Sequence, residues 1–386
     1  MRIVQVTLRF DAPGGVETNV REVSRRLLAA GDEVEVFASD LYDESRWERR
    51  SDYASEVDGV HVRRFPVHKR LVPGLTMPMM VGLIDALAES GAEVIHVHSH
   101  RYGHVLQAAA VAERLGIPLV VSTHYHPADR REPWRKRVLL KLQDVLFGMT
   151  AYRVARTLVV ESELEASAVR RFAPPGRVAI VAPGIDLAEW QEEGVGAPAS
   201  LGLPDGYVVF VGRIASNKGL GHLLAALALL PPERRPPLVL MGSDWGERAG
   251  LEKLAEELGV DRQLTFTGHV TGRADYRAVI RGARALVLPS EWEAYGLVLL
   301  EAMASRTPIV ATAVGAVPEV LQHGRLGRLV PYGEPAELAR ALAAVSDDSE
   351  GTRERAERAW EAVQRLDWNA SAERLRAIYR DAVRGR

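Results

Sequence analysis

Cysteine is absent from this chain of 386 residues. Its absence excludes disulfide bonds, thiolate metal sites and cysteine nucleophiles. Charge of one sign is not in excess either, because 49 Lys and Arg residues face 51 Asp and Glu residues, for a formal net charge of −2. General nucleic-acid-binding proteins usually carry a strong basic excess, so this balance argues against that function.

Long hydrophobic runs are also missing. The longest uncharged apolar stretch, residues 71–84, is too short to cross a bilayer and contains two prolines. The first ten residues, MRIVQVTLRF, have the pattern of a strand and lack the small-residue cleavage site of a secretory signal. We therefore expect a cytoplasmic protein, and a peripheral position at the inner face of the membrane is the alternative.

Lysine is scarce, since five lysines leave 44 arginines among the 49 basic residues. One of the five, Lys218, lies in FVGRIASNKG (210–219), between a strand pattern and a helix pattern. The glycine spacing matches neither a P-loop nor a dinucleotide fingerprint. Arg213 offers a fork for phosphate oxygens and Lys218 a point charge. The motif predicts an anion site at a strand end, and two solvated charges beside a turn are the alternative.

Short β-rich runs alternate with helical patterns along the whole chain. This alternation predicts βαβ units, with parallel sheets covered by helices on both faces. A Gly- and Pro-rich stretch (191–206) separates two halves. We expect an N-terminal domain over 1–195, a C-terminal domain over 205–365 and a final helix over 367–386 with Asn369 as its cap. Ligands should bind beyond the carboxyl ends of the strands, in a cleft between the two sheets.

Two carboxylates bracket an apolar stretch in SEWEAYGLVLLEA (290–302). The composition predicts a helix beginning near Tyr295–Gly296, with Glu293 in the preceding loop and Glu301 inside the helix. Exposed amides at a helix N-terminus suit a phosphate, and two separated carboxylates suit two hydroxyl-bearing parts of one extended ligand. An unrelated surface glutamate and helix glutamate are the alternative.

Histidines cluster after two neighbouring strands in the first half. Five are involved: His96, His98, His100, His124 and His126. The first three alternate along HVHSH, which predicts that they share one face of a strand. A metal site, residues at a reaction centre and hydrogen-bonded core histidines are all open.

Basic residues concentrate in two stretches, 62–70 and 130–143. The second, RREPWRKRVLLKLQ, is amphipathic and includes Trp134, a composition that suits an anionic membrane surface. A solvated charged face is the alternative, and no lipidation motif accompanies the stretch.

In this order, the motifs resemble those of a known family. GGVE after the first strand, VGRIASNKG, and EWEAYGLVLLEAMASRTPIVAT followed by GAVPE are similar to family 4 of the retaining glycosyltransferases, which have the GT-B fold. The resemblance covers essentially the whole chain. It implies an α/β fold of two Rossmann-like, doubly wound parallel-sheet domains facing across a cleft, with the final helix packing back on the first domain.

The resemblance also implies roles for the matching residues. Arg213 and Lys218 would bind the donor diphosphate. Glu293 would hold hydroxyls of the transferred sugar, and Glu301 would hold the ribose. Arg213, Lys218 and Glu293 would thereby be catalytic as well as donor-binding.

Backbone groups and a histidine complete the implied site. Amides would contact the phosphates and the sugar at three positions: Tyr295, Gly296 and Leu297. Gly15 would lie under the donor phosphate, near the acceptor. The spacing from Pro118 makes His124 the better match for a catalytic histidine lining the reaction centre, with His126 as the alternative. The family often has Pro-Phe at the position of Ala294–Tyr295, and the aromatic ring is kept here.

The implied reaction transfers a hexosyl group from a UDP- or GDP-sugar to a hydroxyl of a sugar, lipid-linked or small-molecule acceptor, with retention. No Asp-x-Asp pair follows a strand, so we expect no metal and no cofactor. Residues 130–143 are a candidate peripheral membrane contact, and no nucleic acid is expected. Two alternatives remain open: a His-x-His metal-dependent hydrolase and a catalytically idle nucleotide-sugar-binding subunit.

Overall fold

The computed structural model describes residues 1–12, 14–43, 47–72, 75–127, 133–191, 201–347 and 350–385. The described strands, in chain order, are β1 (Arg2–Thr7), β2 (Glu33–Ser39), β3 (Leu41–Asp43), β4 (Glu48–Arg49), β5 (Ala54–Val57), β6 (Val60–Phe65), β7 (Val67–Val72), β8 (Leu75–Met80), β9 (Val94–His98), β10 (Leu119–Ser122), β11 (Thr157–Val160), β12 (Val178–Ile180), β13 (Val208–Val211), β14 (Leu238–Met241), β15 (Leu264–Gly268), β16 (Ala285–Leu288), β17 (Ile309–Thr312) and β18 (Arg328–Val330).

The described helices alternate with these strands. They are α1 (Gly15–Ala29), α2 (Leu83–Glu89), α3 (Gly103–Leu115), α4 (Trp134–Phe147), α5 (Glu163–Val169), α6 (Leu187–Gln191), α7 (Leu220–Ala228), α8 (Arg248–Leu258), α9 (Arg273–Gly282), α10 (Leu297–Ala304), α11 (Val317–Val320), α12 (Pro335–Ser346), α13 (Glu350–Val363) and α14 (Trp368–Arg384). A π-helical turn, Gly148–Tyr152, continues α4. None of the described helices is long and apolar enough to cross a membrane.

The chain divides into two units. The first comprises Met1–Pro183 and Trp368–Arg386, and the second comprises Gly184–Asp367. The first unit therefore ends earlier than the boundary at 195 expected from the sequence. The reason is that α6 packs within the second unit, where Glu189 forms an ion pair with Arg277 at 2.7 Å.

The first unit is built on an eight-stranded sheet in the order β12-β11-β10-β9-β1-β2-β6-β5. All of its neighbours pair in parallel except β5 with β6. The central strands β1, β9, β10 and β11 are almost completely buried, because helices cover both faces of a parallel sheet, whereas β5 and β6 at one edge alternate in burial. α14 packs against α1 and buries Tyr379 completely. It begins at Trp368, so the prediction that Asn369 caps it was wrong: the buried Trp368 side chain belongs to its first turn.

The second unit has a six-stranded parallel sheet in the order β15-β14-β13-β16-β17-β18. The chain winds outward in one direction from β13 and then in the other direction from β16. This is the doubly wound Rossmann order, and a ligand crevice is expected where the winding reverses, beyond the carboxyl ends of β13 and β16. In the first unit the corresponding reversal lies between β1 and β9. The predicted α/β class with doubly wound parallel sheets is confirmed.

Candidate functional site

The two loops at the reversal point of the second sheet are joined by an ion pair. Lys218 follows β13 and Glu293 follows β16, and Lys218 Nζ lies 2.7 Å from Glu293 Oε1. Each side chain keeps 13% of its surface exposed, so the pair is mostly buried. The hydroxyl of Ser290 donates to the same carboxylate oxygen at 2.6 Å. The sequence therefore places a cation and a carboxylate together where a ligand of a doubly wound sheet is expected.

Glycines allow these loops to approach each other closely. Gly219 has a left-handed φ of 64°, and a Cβ there would lie 2.1 Å from the carbonyl oxygen of Pro289. Gly315 has a φ of 52°, and a Cβ there would lie 1.8 Å from the carbonyl oxygen of Glu293. The amide of Ala316 donates to that same carbonyl at 3.1 Å. Residues with a Cβ are excluded at both glycine positions, so the backbone around Glu293 is held from two sides.

Arg213 is held by an aromatic ring. Its guanidinium carbon lies 4.3 Å from the centroid of the Trp245 ring, close enough for a cation–π interaction. The loops that carry the two residues touch: the Trp245 amide donates to the Ile214 carbonyl at 2.9 Å. Arg213, like Lys218, thus lies in the loop after β13, at the carboxyl edge of the sheet.

The helix α10 begins four residues after Glu293. Its first residue is Leu297, and Gly296 precedes it with a left-handed φ of 86°. The sequence predicted a start near Tyr295–Gly296, and this is confirmed: Gly296 is the N-cap, and the buried Tyr295 precedes it. The first amides of a helix lack partners inside the helix and carry partial positive charge, so this end suits an anion.

Glu301 lies in the second turn of α10, where the hydroxyl of Tyr276 donates to it at 2.6 Å. Burial raises the pKa of Glu301 to about 7, Glu189 contributes in the same direction, and the Tyr276 hydroxyl and Arg273 oppose the rise. The carboxyl group therefore exchanges its proton near neutral pH, which is typical of groups at functional sites.

The first unit contains a cavity of about 430 Å³ at the reversal between β1 and β9. Residues from the loops after β1, β9 and β10 line it, together with the start of α1 and the inner side of α4: Thr7, Leu8, Arg9, Val16, Glu17, Ser99, His100, Arg101, Tyr102, His124, His126, Leu140 and Gln143. Its charged groups are paired. Arg9 lies 2.8 Å from Glu17, and Arg101 lies 2.6 Å from Asp144. Gly15 is the first residue of α1 and adjoins this lining.

His124 is the histidine most closely tied to carboxylates. Its Nδ1 lies 3.2 Å from Glu161 Oε1, which also accepts from the side-chain Nδ2 of Asn19 at 3.2 Å. Burial alone would lower the pKa of His124, but the charges of Glu161, Glu165 and Glu17 outweigh burial and raise it. His126 is also on the cavity but is bonded at Nδ1 to the adjacent Pro127 carbonyl at 2.8 Å. The geometry thus favours His124 over His126 as a charged group at the cavity.

The other strand-end histidines are core residues with protein partners. His96 bonds the hydroxyls of Tyr379 at 2.6 Å and Ser122 at 2.9 Å. Burial, with His124 nearby, lowers the pKa of His96 to about 3, so its ring is neutral at physiological pH. His98 Nε2 bonds the Gln5 side chain at 2.7 Å. His98 Nδ1 lies 3.4 Å from His124 Nε2.

The expectation that three alternating histidines share one face holds for only two of them. His100 lies beyond the end of β9, where Ser99 and Arg101 have positive φ angles of 90° and 63°. The changed backbone turns His100 toward Asp144, 2.7 Å away, and toward the Tyr152 hydroxyl. Among the described residues, no group of three or more His, Asp or Glu side chains is arranged to hold a metal ion.

Comparisons with known proteins agree with the division of the chain into two units. A family model described as "Glycosyltransferase Family 4" matches residues 13–189, and one described as "Glycosyl transferases group 1" matches residues 199–362. The D-inositol 3-phosphate glycosyltransferase 2 of Catenulispora acidiphila is 33% identical over 401 residues, covering 96% of this chain and 90% of that protein. This chain belongs to glycosyltransferase family 4.

Further relatives of this family 4 glycosyltransferase support the assignment. The D-inositol 3-phosphate glycosyltransferase of Streptomyces scabiei is 31% identical and covers 96% of this chain and 87% of that protein. The fold is similar to that of sucrose-phosphate synthase from Thermosynechococcus elongatus, with a TM-score of 0.76, 24% identity and full coverage of both chains. HepE of Anabaena, solved with UDP and glucose, gives a TM-score of 0.77 at 18% identity over 99% of this chain and 100% of that chain. These structures have the fold that the sequence motifs predicted for a family 4 glycosyltransferase.

Sequence reasoning missed several residues of the two sites in this glycosyltransferase. Glu161 directly follows β11, so the rule that parallel strands end at one edge could have found it. Ser290 follows β16 in the same way. Tyr276 and Trp245 carried no signal, because one lies within α9 and the other in a loop, and only the tertiary fold brings them to Glu301 and Arg213.

Proposed function

We propose that this glycosyltransferase moves a hexosyl group from a UDP- or GDP-sugar to an acceptor hydroxyl with retention of configuration. The observation that carries the proposal is the Lys218–Glu293 pair at the reversal point of the second sheet, beside Arg213 and the start of α10. HepE, which shares the fold, is described in complex with UDP and with UDP-glucose, which supports a nucleotide-sugar donor.

The donor would be bound by complementary groups of the second unit. Arg213 and Lys218 would contact the diphosphate, and the amides at Tyr295–Leu297 would extend this positive environment. Glu293 would accept from hydroxyls of the sugar while it remains close to Lys218. Glu301 would accept from the ribose.

The reaction requires stabilisation of a departing anion. The bond between the anomeric carbon and the phosphate oxygen breaks, and negative charge develops on the diphosphate. Prepositioned cations and amides lower the energy of that state, and no metal is needed for this step. We propose that the acceptor oxygen attacks on the face from which the diphosphate departs and that its proton passes to a phosphate oxygen.

We propose the cavity of the first unit as the acceptor site, with Gly15 at its edge and His124 as the catalytic group within it. The acceptor would be a sugar, a lipid-linked compound or a small hydroxyl compound. Relatives named for D-inositol 3-phosphate make that compound the first small molecule to test. Arg9 at the cavity would contact the phosphate of such an acceptor, and its partner Glu17 would accept from the hydroxyls. A cytoplasmic location stays a prediction from the sequence.

The experiment is a donor panel with release of nucleoside diphosphate as its readout. Lys218→Ala should lower kcat by about 10²–10³-fold, the usual effect of removing one transition-state contact. Lys253→Ala is the matched control, because Lys253 is an exposed lysine of α8 and lies 3.7 Å from Glu257. Wild-type activity in Lys218→Ala would refute the proposed site.

Two further results would favour the alternatives. Loss of activity on addition of a chelator would favour the metal-dependent hydrolase, although His96 and His98 have protein partners. Donor binding without turnover, with every acceptor tried, would favour the idle nucleotide-sugar-binding subunit.

A further inference from the structure

The outer face of α4 and of the turn after it is apolar and exposed. Its side chains recur at helical spacing: Trp134, Val138, Leu142, Val145, Leu146 and Met149. At about 100° per residue, the five that belong to α4 fall within an arc of about 120°. Trp134 is 68% exposed and Leu142 is 62% exposed. We call these six side chains the α4 face. A contiguous exposed apolar surface of this kind marks an interaction site.

Positive charge borders the α4 face. Residues 133–143 include four cations and no anion, although the whole chain has a net charge of −2. Arg135 and Lys141 are exposed; Lys141 lies just outside one border of the apolar arc, and Arg135 lies just inside its other border. The nearest acidic residue along the helix, Asp144, is turned inward and bonds Arg101 and His100. The surface is therefore complementary to a negatively charged partner.

The inner side of α4 is committed to the fold of the first unit. Gln143 and Asp144 are buried, as is Phe147, which packs in the core. Leu140 and Gln143 line the cavity. Because the inward side chains fix the rotation of the helix, the α4 face is held outward rather than exposed by chance.

We propose that the α4 face binds the surface of a bilayer that contains anionic lipids. The apolar side chains would enter the boundary between headgroups and acyl chains, with Trp134 at the interface, and Arg135 and Lys141 would lie at the level of the lipid phosphates. A second copy of the chain is a poorer occupant, because two such faces would bring their cations together. The inference does not depend on the proposed transfer reaction.

The test is sedimentation of the purified full chain with vesicles. Wild-type protein should bind vesicles of phosphatidylcholine with about one third phosphatidylglycerol, bind pure phosphatidylcholine vesicles weakly, and dissociate as salt is raised. The double variants Leu142→Glu/Val145→Glu and Arg135→Gln/Lys141→Gln should each lose roughly tenfold or more in vesicle affinity.

Leu229→Glu is the matched control. Leu229 is 60% exposed but lies in the second unit, and the variant should bind anionic vesicles like wild type. Thermal unfolding checks that each variant is folded. If Leu142→Glu/Val145→Glu does not fold, Arg135→Gln/Lys141→Gln still tests the proposal. The proposal is overturned if wild type ignores anionic vesicles, if it binds neutral vesicles equally well, or if both variant pairs bind like wild type. It is also overturned if the α4 face substitutions convert a dimer into a monomer without a change in vesicle binding.

Discussion

Replacing Glu301 by glutamine should make the nucleotide-free protein more stable at alkaline pH. The carboxyl group is half-buried in α10, and Gln can still accept the hydrogen bond from Tyr276. The substitution removes a charge that the fold disfavours. Functional carboxylates often carry such a cost, because ligand binding needs a group that the empty fold would hold neutral.

The magnitude follows from the pKa of Glu301. Its value of about 7 compares with an ordinary 4.5, and burial is the main cause. Because the folded-state pKa is raised, the folded protein binds this proton more tightly than the unfolded chain does. Its contribution to stability is therefore complete below about pH 4.5 and is lost as the pH rises through 7. The loss amounts to about 3 kcal/mol at roughly 1.4 kcal/mol per pKa unit, and partial exposure makes this an upper bound.

The assay is thermal unfolding of wild type and Glu301→Gln at pH 5 and pH 8 without nucleotide. The stability advantage of the variant should grow by about 2–3 kcal/mol between these pH values, a difference of several degrees in Tm. Glu256→Gln is the control, since Glu256 is exposed on α8 and the same chemical change there removes no buried charge. An advantage for Glu301→Gln that is absent, or that does not change with pH, would refute the reasoning.

The same substitution should weaken nucleotide binding if Glu301 holds the ribose. With a pKa of about 7, the ionised fraction of Glu301 rises about tenfold between pH 6 and pH 8. The ratio of the wild-type affinity to the Glu301→Gln affinity for nucleoside diphosphate should therefore rise between pH 6 and pH 8. Titration of the phosphates affects both proteins equally, so it does not change this ratio. Titration calorimetry measures both affinities. A ratio that does not change with pH would refute the binding of the ribose by Glu301 and would leave the stability argument intact.

Two further substitutions test the geometry of each unit. Gly219→Ala should destabilise the protein and abolish most nucleotide binding, because its Cβ would lie 2.1 Å from the Pro289 carbonyl oxygen. Gly259→Ala is the control, since Gly259 has the same φ of 64° and no neighbour within 4 Å of an added Cβ. That variant should lose only about 1 kcal/mol of stability in thermal unfolding and should bind nucleotide normally. Glu161→Gln should lower the pKa of His124, so the limb of the kcat/KM profile that reports this histidine should move to lower pH, and an unmoved profile would exclude His124 from the reaction.

Much of the fold and part of the site could be predicted because both depend on local sequence patterns. Apolar runs alternating with amphipathic segments determine parallel sheets, and parallel strands bring their carboxyl ends to one edge. Residues in the loops that follow strands, such as Lys218 and Glu293, could therefore be assigned to one edge before any distance was known. The 2.7 Å between their side chains is consistent with that rule.

The remaining features depend on contacts that no local pattern specifies. Glu301 could be located on a helix, but its raised pKa depends on burial and on Glu189 from α6, far away in the sequence. The face of His100 was predicted wrongly because strand alternation stops where the backbone takes positive φ angles. The amphipathic stretch 130–143 allowed two interpretations, and its outward face became definite only with the inward contacts of Asp144. Residues 128–132, including Arg130 and Arg131, lie outside the described part of the chain.

The two units share a physical design, although their sites carry different groups. In each, charged side chains near the reversal point are paired: Lys218 and Glu293 come from the loops after β13 and β16, and Arg9 from the loop after β1 pairs with Glu17 of α1. A buried charge without a partner is costly, so these pairs keep the empty sites charged and ordered. An incoming anion gains attraction from the cation but must also approach the paired carboxylate. Ligands that offer hydroxyls to the carboxylate and phosphate to the cation satisfy both partners at once, and this favours phosphorylated polyols and nucleotide sugars over simple anions.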